Sequence, residues 1–553
     1  MRTTFAARTL ISMMIACLPL GANAGDEAPA PTLYSNIGSF HRQVRTKKPL
    51  AQRFVDQGLT FLYSYNYGEA IRSFRQAAAL DSGCAMAWWG IATANGPHIN
   101  DPTVTAEHAK AALGALQNAK PVMTSATPVE QALLRAAAKR FADPPPADRK
   151  PLDQAYADAM RLVWKDFPND PDVGALFAES LMDLRPWDLW TSDKKPQPGT
   201  EEITATLNTV LKLAPMHPLG NHLTIHAWEA SPTPEKADAA ADRLRDLTPG
   251  IAHMVHMPSH IDVLRGRWRE AVLANERAVT ADKAYLHKKP VRGFYGVYLG
   301  HNYHMLAFAA MMSGQSKRAI HAIDEMITRL SPEWVKENPA LADSSGFLAM
   351  PLEVRMRFGL WDEVLAAPDL PENCPIARAL RHYARGVSYA AKKQFNDADA
   401  EQALFHEARK KIAPDAAFGL GVATDVLAVA DHALTGELLF QMGRREEGLA
   451  ELRKGVESED ALHYDEPPDW IQPVRHALGA ALMTAGHYSE AEQVYRDDLA
   501  KRPENGWGLF GLMRSLEKQG RTDEAAPFRA RFAKVWKDAD VRLSTSCLCL
   551  PWM

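Results

Sequence analysis

Two pairs of histidines in this chain stand 34 residues apart, His222 with His256 and His226 with His260, and Ala237 and Ala271 keep the same interval. A 48-residue shift carries His253 onto His301, His256 onto His304, Gly266 onto Gly314 and Ala271 onto Ala319. Inside each cluster the histidines are three, four or seven apart. Such spacings place side chains on one face of a helix, because an α-helix turns once per 3.6 residues. A chain that repeats every 34 residues and keeps helical spacing within each unit is a stack of helical hairpins. The 48-residue step is then one unit plus an insertion, which the stretch 286–296 supplies. Nine of the 19 histidines fall between His217 and His304. Even scatter would put about three there.

The same punctuation recurs outside the histidine region. Gly58, Ala70, Phe74 and Ala77 lie in one predicted hairpin, and Gly479, Ala491, Tyr495 and Pro503 in another. Gly386 and Ala398 keep the twelve-residue interval of Gly58 and Ala70, and Ala525 follows Ala491 by 34. On these residues most of the stretch 51–537 resembles the tetratricopeptide-repeat family, whose small residues let paired helices cross closely. The fold class expected is all-α: a tetratricopeptide-like α-solenoid, or superhelix of helical hairpins, with no strand pattern of any length. The divisions read from the sequence are a signal peptide over 1–24, an extended leader over 25–48, helical hairpins over 49–215, histidine-rich hairpins over 216–330, further repeats over 331–537 and a Cys-x-Cys tail over 538–553.

The resemblance also implies which residues face inward. Family positions two, five, nine and twelve line the concave groove. Counted back from the small residue at position twenty (Ala237, Ala271, Ala319), they fall on His253 and His301, on His222, His256 and His304, on His226 and His260, and on Glu229. Seven imidazoles and one carboxylate on adjacent inward faces suggest a transition-metal site, since neutral imidazole binds zinc, copper, iron and nickel. Seven rings exceed the needs of one ion, so more than one is expected. Copper is favoured, with iron or zinc next, and Met254, Met257 and Met305 stand nearby as soft donors or as core filling. The ligand type resembles that of a type-3 dicopper site, by analogy only. Pro258 leaves open how His253 and His256 aim relative to His260. His217, before Pro218, reads as a turn residue, and His287 as a solvated loop residue or part of a lid. Glu353, Arg355 and His476 are candidates for contacts to the ligands or to substrate. The stretch 463–470 is read first as turn and capping chemistry.

Composition narrows the class of protein. The chain has 553 residues, 46% hydrophobic and 24% charged, with a net charge of −4, which is ample for a large core and offers no basic stripe for nucleic acid. Arg2 and Arg8, an apolar run over 10–20 and Ala22-Asn23-Ala24 read as a secretory signal. Cleavage after Ala24 would leave 61 basic against 67 acidic side chains. A lipoprotein site at Cys17 is the weaker alternative, and no later run is long and apolar enough to span a bilayer. The expected location is therefore periplasmic or secreted. Cys547 and Cys549 read as a loose or oxidised tail, or as a soft ligand pair. Three functions remain: a copper- or iron-dependent oxidoreductase with a small molecule in the groove, a periplasmic metal-handling protein, and a scaffold that binds a partner peptide.

Overall fold

A computed structural model describes residues 32–287, 295–330, 334 and 345–550. The expected signal peptide and most of the 286–296 insertion lie outside the described residues. Those described form helical hairpins almost throughout. The exceptions include a two-residue antiparallel pairing of Ala417–Phe418 with Gly421–Val422. No described helix is long and apolar enough to cross a membrane.

Local chemistry sets the helix starts. Asn66 caps Tyr67–Leu80, Asp170 caps Pro171–Met182, and Thr127 with Glu130 forms a capping box at Pro128–Ala137. Each cap satisfies backbone N–H groups that the first helical turn leaves without partners. Proline at the first position of Pro49–Leu62, Pro128–Ala137, Pro171–Met182 and Pro218–Trp228 costs no hydrogen bond there and presets φ.

Packing between hairpins uses one device twice. The Phe74 ring lies against Gly58 and Gly90, so close that a β-carbon at either glycine would stand well inside contact distance of the ring. Tyr495 lies in the same way against Gly479 and Gly511. In both cases the aromatic residue follows the first glycine by 16 positions and precedes the second by 16. The glycines let three successive helices close on one flat ring, and Phe74 and Tyr495 are fully buried.

The solenoid also closes on itself. Trp268 Nε1 donates to the Pro503 carbonyl at 2.9 Å, and Trp507 Nε1 to the Met311 carbonyl at 2.8 Å. Asp540 accepts the backbone N–H groups of Ser316 and Lys317 at 2.7 and 3.1 Å. Two large apolar cores result, one built from residues between Ile37 and Ile261 plus Tyr298, the other from residues between Val263 and Leu550. The histidine helices lie where the cores meet. Of the inward-facing histidines, five (222, 226, 253, 256 and 260) are buried and two (301 and 304) are partly exposed. The described part of the leader is built in as well: Ile37 and Val44 are buried, and the Arg42 guanidinium donates to Asp170 at 2.8 Å and Asp172 at 2.6 Å.

Replacing Phe74 or Tyr495 with alanine is expected to cost about 3–5 kcal/mol each, the usual penalty for truncating a buried aromatic. Thermal and urea denaturation followed by circular dichroism would show it, with Leu162→Ala, at a surface position 62% exposed, as a near-neutral control.

Candidate metal centre

Three short helical segments and one longer helix carry the histidines. His222 and His226 lie on Pro218–Trp228, His253 and His256 on Ala252–His256, His260 on Pro258–Leu264, and His301 and His304 on Tyr295–Met312. Pro258 interrupts the backbone hydrogen bonding, yet Met257 before it keeps right-handed helical angles, so His256 and His260 still share a face. His217 caps the first of these helices, its Nδ1 accepting from Gly220 N at 3.0 Å and its Nε2 meeting Asp172 at 3.1 Å. It is a turn residue, as its place before Pro218 suggests.

The rings fall into two trios. His222 Nε2 lies 3.1 Å from His226 Nε2 and 3.1 Å from His253 Nε2. His260 Nε2 lies 2.7 Å from His256 Nε2 and 3.3 Å from His301 Nε2. In each trio the three ligand atoms lie within 4.8 Å of one another. A tetrahedral ion with metal–nitrogen bonds of about 2.0–2.1 Å holds its nitrogens about 3.3–3.4 Å apart. The four contacts, at 3.1, 3.1, 2.7 and 3.3 Å, lie at or inside that spacing.

The outer nitrogens show why the inner ones are free to bind. His222 Nδ1 donates to the Tyr63 carbonyl at 2.9 Å, and His226 Nδ1 to Glu229 Oε1 at 2.8 Å. His260 Nδ1 donates to Glu229 Oε2 at 2.6 Å, and His256 Nδ1 to Asn275 Oδ1 at 2.6 Å. The Asn275 amide is oriented by its own Nδ2, which donates to the Ala271 carbonyl at 2.8 Å. All four partners are acceptors, so all four rings keep their proton on Nδ1 and present a lone pair at Nε2. Two lone pairs then face each other across the His222–His226 gap, and two more across the His256–His260 gap. One proton relieves one gap at most and leaves an imidazolium in a buried site. An ion on the trio's axis satisfies three nitrogens at once.

Electrostatics agree. Burial pushes His222, His253, His256 and His301 well below the ordinary imidazole range, with neighbouring imidazoles adding to the effect. Burial by itself would raise Glu229, but the His226 and His260 rings, each donating Nδ1–H to it, favour its ionised form. It is an ionised, acceptor-only bridge.

Two residues of the expected ligand set, Glu229 and His304, stand apart from the trios, and the methionines take the second of their two readings. Glu229 does not join either trio, because both its oxygens are engaged by Nδ1 atoms on the far side of the rings; it orients His226 and His260. His304 joins neither trio. Among the described residues its buried Nε2 has no hydrogen-bond partner, and burial lowers its pKa to about 3. Met254, Met257 and Met305 are fully buried among apolar side chains, as core filling.

The more distant candidates are occupied elsewhere. Arg355 pairs with Asp324 at 2.8 Å and Glu363 at 3.1 Å. His476 lies between Arg357, which donates to its Nδ1 at 2.8 Å, and Asp498, 3.0 Å from its Nε2. Glu353 is buried, which pushes its carboxyl up to about 7. Among the described residues no hydrogen bond or ring contact joins these three to the trios. Cys547 and Cys549 are paired in a disulfide, and His287 is exposed.

Several neighbours were not evident from spacing. His98 stacks on Tyr65 with ring centroids 4.4 Å apart, and Tyr65 in turn lies 4.7 Å from His222. Trp187 meets His226 edge-on at 5.1 Å, and Tyr298 lies 4.7 Å from His253. The 463–470 stretch also reaches the site. Burial first, then the Glu466 and Glu229 charges, push the Tyr464 hydroxyl upward, and it donates to Glu466 at 2.8 Å. Two small clefts adjoin the rings. One is lined in part by Arg185, Trp187, Trp190, His226 and Glu229, the other by Tyr285, Tyr295, Tyr298 and His253.

His98 supplies a test of this burial. Desolvation lowers it to about 3. Its neutral folded form binds fewer protons than the unfolded chain below about pH 6.5, so its contribution to stability is lost as pH falls. In metal-free protein, the stability advantage of wild type over His98→Gln is expected to shrink by about 2 kcal/mol between pH 7 and pH 5, read from urea denaturation at each pH.

Residues 474–506 match the tetratricopeptide-repeat family. No curated protein matches the sequence significantly. Among solved structures the chain is similar to human IFIT1 in its dimer with m7Gppp-AAAA (12% identity, 90% of this chain and 91% of that one, TM-score 0.33). It is also similar to the tetratricopeptide-repeat domain of P58(IPK) (10% identity, 86% and 99%, TM-score 0.23) and to the Cut9–Hcn1 hetero-tetramer of APC/C (13% identity, 85% and 78%, TM-score 0.31). Scores this low carry nothing about function. The matched stretch is one tetratricopeptide repeat within a run of helical hairpins.

Proposed function

We propose that this solenoid is an exported metalloprotein holding two transition-metal ions, copper first, and that it acts as a metal-dependent oxidoreductase. One ion is assigned to His222, His226 and His253, the other to His256, His260 and His301. The observation that carries the reading is the pair of facing Nε2 lone pairs, at 3.1 Å and 2.7 Å, on rings whose Nδ1 atoms are all engaged by acceptors. An all-imidazole donor set of this kind suits copper, and iron or zinc less specifically. Rings fixed in advance suit a resident ion rather than one in transit. Three protein ligands per ion leave a position for water or substrate, and the two clefts lined in part by His226 and His253 are the routes for a small molecule. A partner peptide in the groove is a poorer match, because the five histidines at 222, 226, 253, 256 and 260 are at most 7% exposed.

Elemental analysis of the protein purified from its own compartment is expected to give two equivalents of metal. His222→Ala with His226→Ala should lose one equivalent, and His256→Ala with His260→Ala the other, with helical circular dichroism retained. Glu229→Gln should keep the ligands but weaken binding of both ions about 10–100-fold. Oxygen consumption with organic reductants then separates an oxidoreductase from a metal carrier. Wild-type protein that takes up no copper, iron or zinc on reconstitution would overturn the assignment.

A further inference from the structure

A second chemically loaded place in the fold is where the C-terminal segment folds back onto the helix Ala423–Gln441. Cys547 and Cys549 form a disulfide. A Glu437 carboxylate oxygen and the two sulfurs all lie within 4.8 Å of one another. Glu437 and Cys549 are buried, at 5% and 4% exposure, whereas Cys547 is partly exposed.

The segment is held, not frayed. Gln441 Nε2 donates to the Cys549 carbonyl at 2.7 Å, and Thr545 Oγ1 to the Leu550 carbonyl at 3.0 Å. Ser546 Oγ donates to the His476 carbonyl at 2.8 Å and meets the Tyr495 hydroxyl at 2.6 Å. These bonds fix both sulfurs beside one carboxyl group. No hydrogen bond to the Glu437 side chain is recorded among the described residues. Burial pushes it up to about 8, so it carries a proton at neutral pH.

We propose that Cys547–Cys549 is a redox-active pair that exchanges with a dithiol partner, and that Glu437 supplies the proton to the departing sulfur. A thiolate of the partner attacks the sulfur of Cys547, the less buried residue of the pair. A mixed disulfide forms as the Cys547–Cys549 bond breaks, and the electron pair passes to Cys549, which takes the Glu437 proton. The partner's second thiolate then attacks its own first sulfur, closing the partner's disulfide and releasing Cys547, which takes a proton from water. Glu437 is reprotonated from water. In all, two electrons and two protons move from the dithiol to the cysteine pair. The direction of attack follows from the lesser burial of Cys547 and from the Glu437 carboxyl beside the leaving sulfur, since thiol–disulfide exchange requires an in-reach sulfur and a leaving thiolate that can be stabilised.

The test uses the full chain with dithiothreitol as the dithiol, at neutral pH and without denaturant, followed by alkylation and mass spectrometry. Two alkylated cysteines, at 547 and 549, are expected to appear while helical circular dichroism is unchanged. The buried Cys84 and Cys374 should stay unmodified as internal controls. Glu437→Gln, equal in shape but unable to give up a proton in this way, should retain the circular dichroism and slow reduction at least tenfold. Reduction that occurs only when the protein unfolds would overturn the proposal, and so would a Glu437→Gln protein reduced at the wild-type rate.

Discussion

The Glu229 carboxylate is the contact on which the centre of this molecule depends. One oxygen takes the Nδ1 proton of His226 and the other that of His260. This single side chain fixes the tautomer and the aim of one ring in each trio and ties two successive repeats together. Buried anions are costly unless charge or hydrogen bonding compensates them. Here two imidazole N–H groups do so and favour the ionised carboxyl. The Tyr63 carbonyl and Asn275 repeat the function for His222 and His256.

Repetition explains why there are two such places. His222, His226 and His253 map onto His256, His260 and His301 by shifts of 34, 34 and 48 residues. The second trio is the first advanced by one hairpin, with the third ligand delayed by the insertion. The series then stops. His304 is the equivalent of His256 after a further 48 residues, but the position equivalent to His260 is Phe308, which is buried in the apolar core. His304 is the first residue of a pair whose second member is missing, which accounts for its standing outside both trios.

Much of this was legible in the sequence. The 34-residue interval gave the hairpins, the recurring Gly and aromatic residues gave their packing, and helical spacing put the histidines on inward faces. Closure of the solenoid was not legible, because it rests on contacts far apart in the chain, such as Trp268 with Pro503 and Trp507 with Met311. Without closure an inward position is a groove position; with it, five of the seven inward histidines are buried. The grouping into trios was hidden for a related reason. His253 and His256 are three apart on one short helix, yet each joins a different trio, a division decided by the packing of neighbouring helices. Glu229 read as a ligand from its spacing, and only the placement of His260 Nδ1 against its second oxygen shows it as an orienting group. His98, Tyr65 and Trp187 carry no periodic signal and reach the site through loops and turns.

The most direct measurement is anomalous diffraction from crystals of the protein as purified from its own compartment, collected at the copper, iron and zinc edges. The account predicts two peaks from a transition metal, one within bonding distance of the Nε2 atoms of His222, His226 and His253, the other of those of His256, His260 and His301, with Glu229 beyond bonding distance of both. A single peak ligated by Glu229, or no peak while the rings keep their Nε2 atoms in contact, would contradict it.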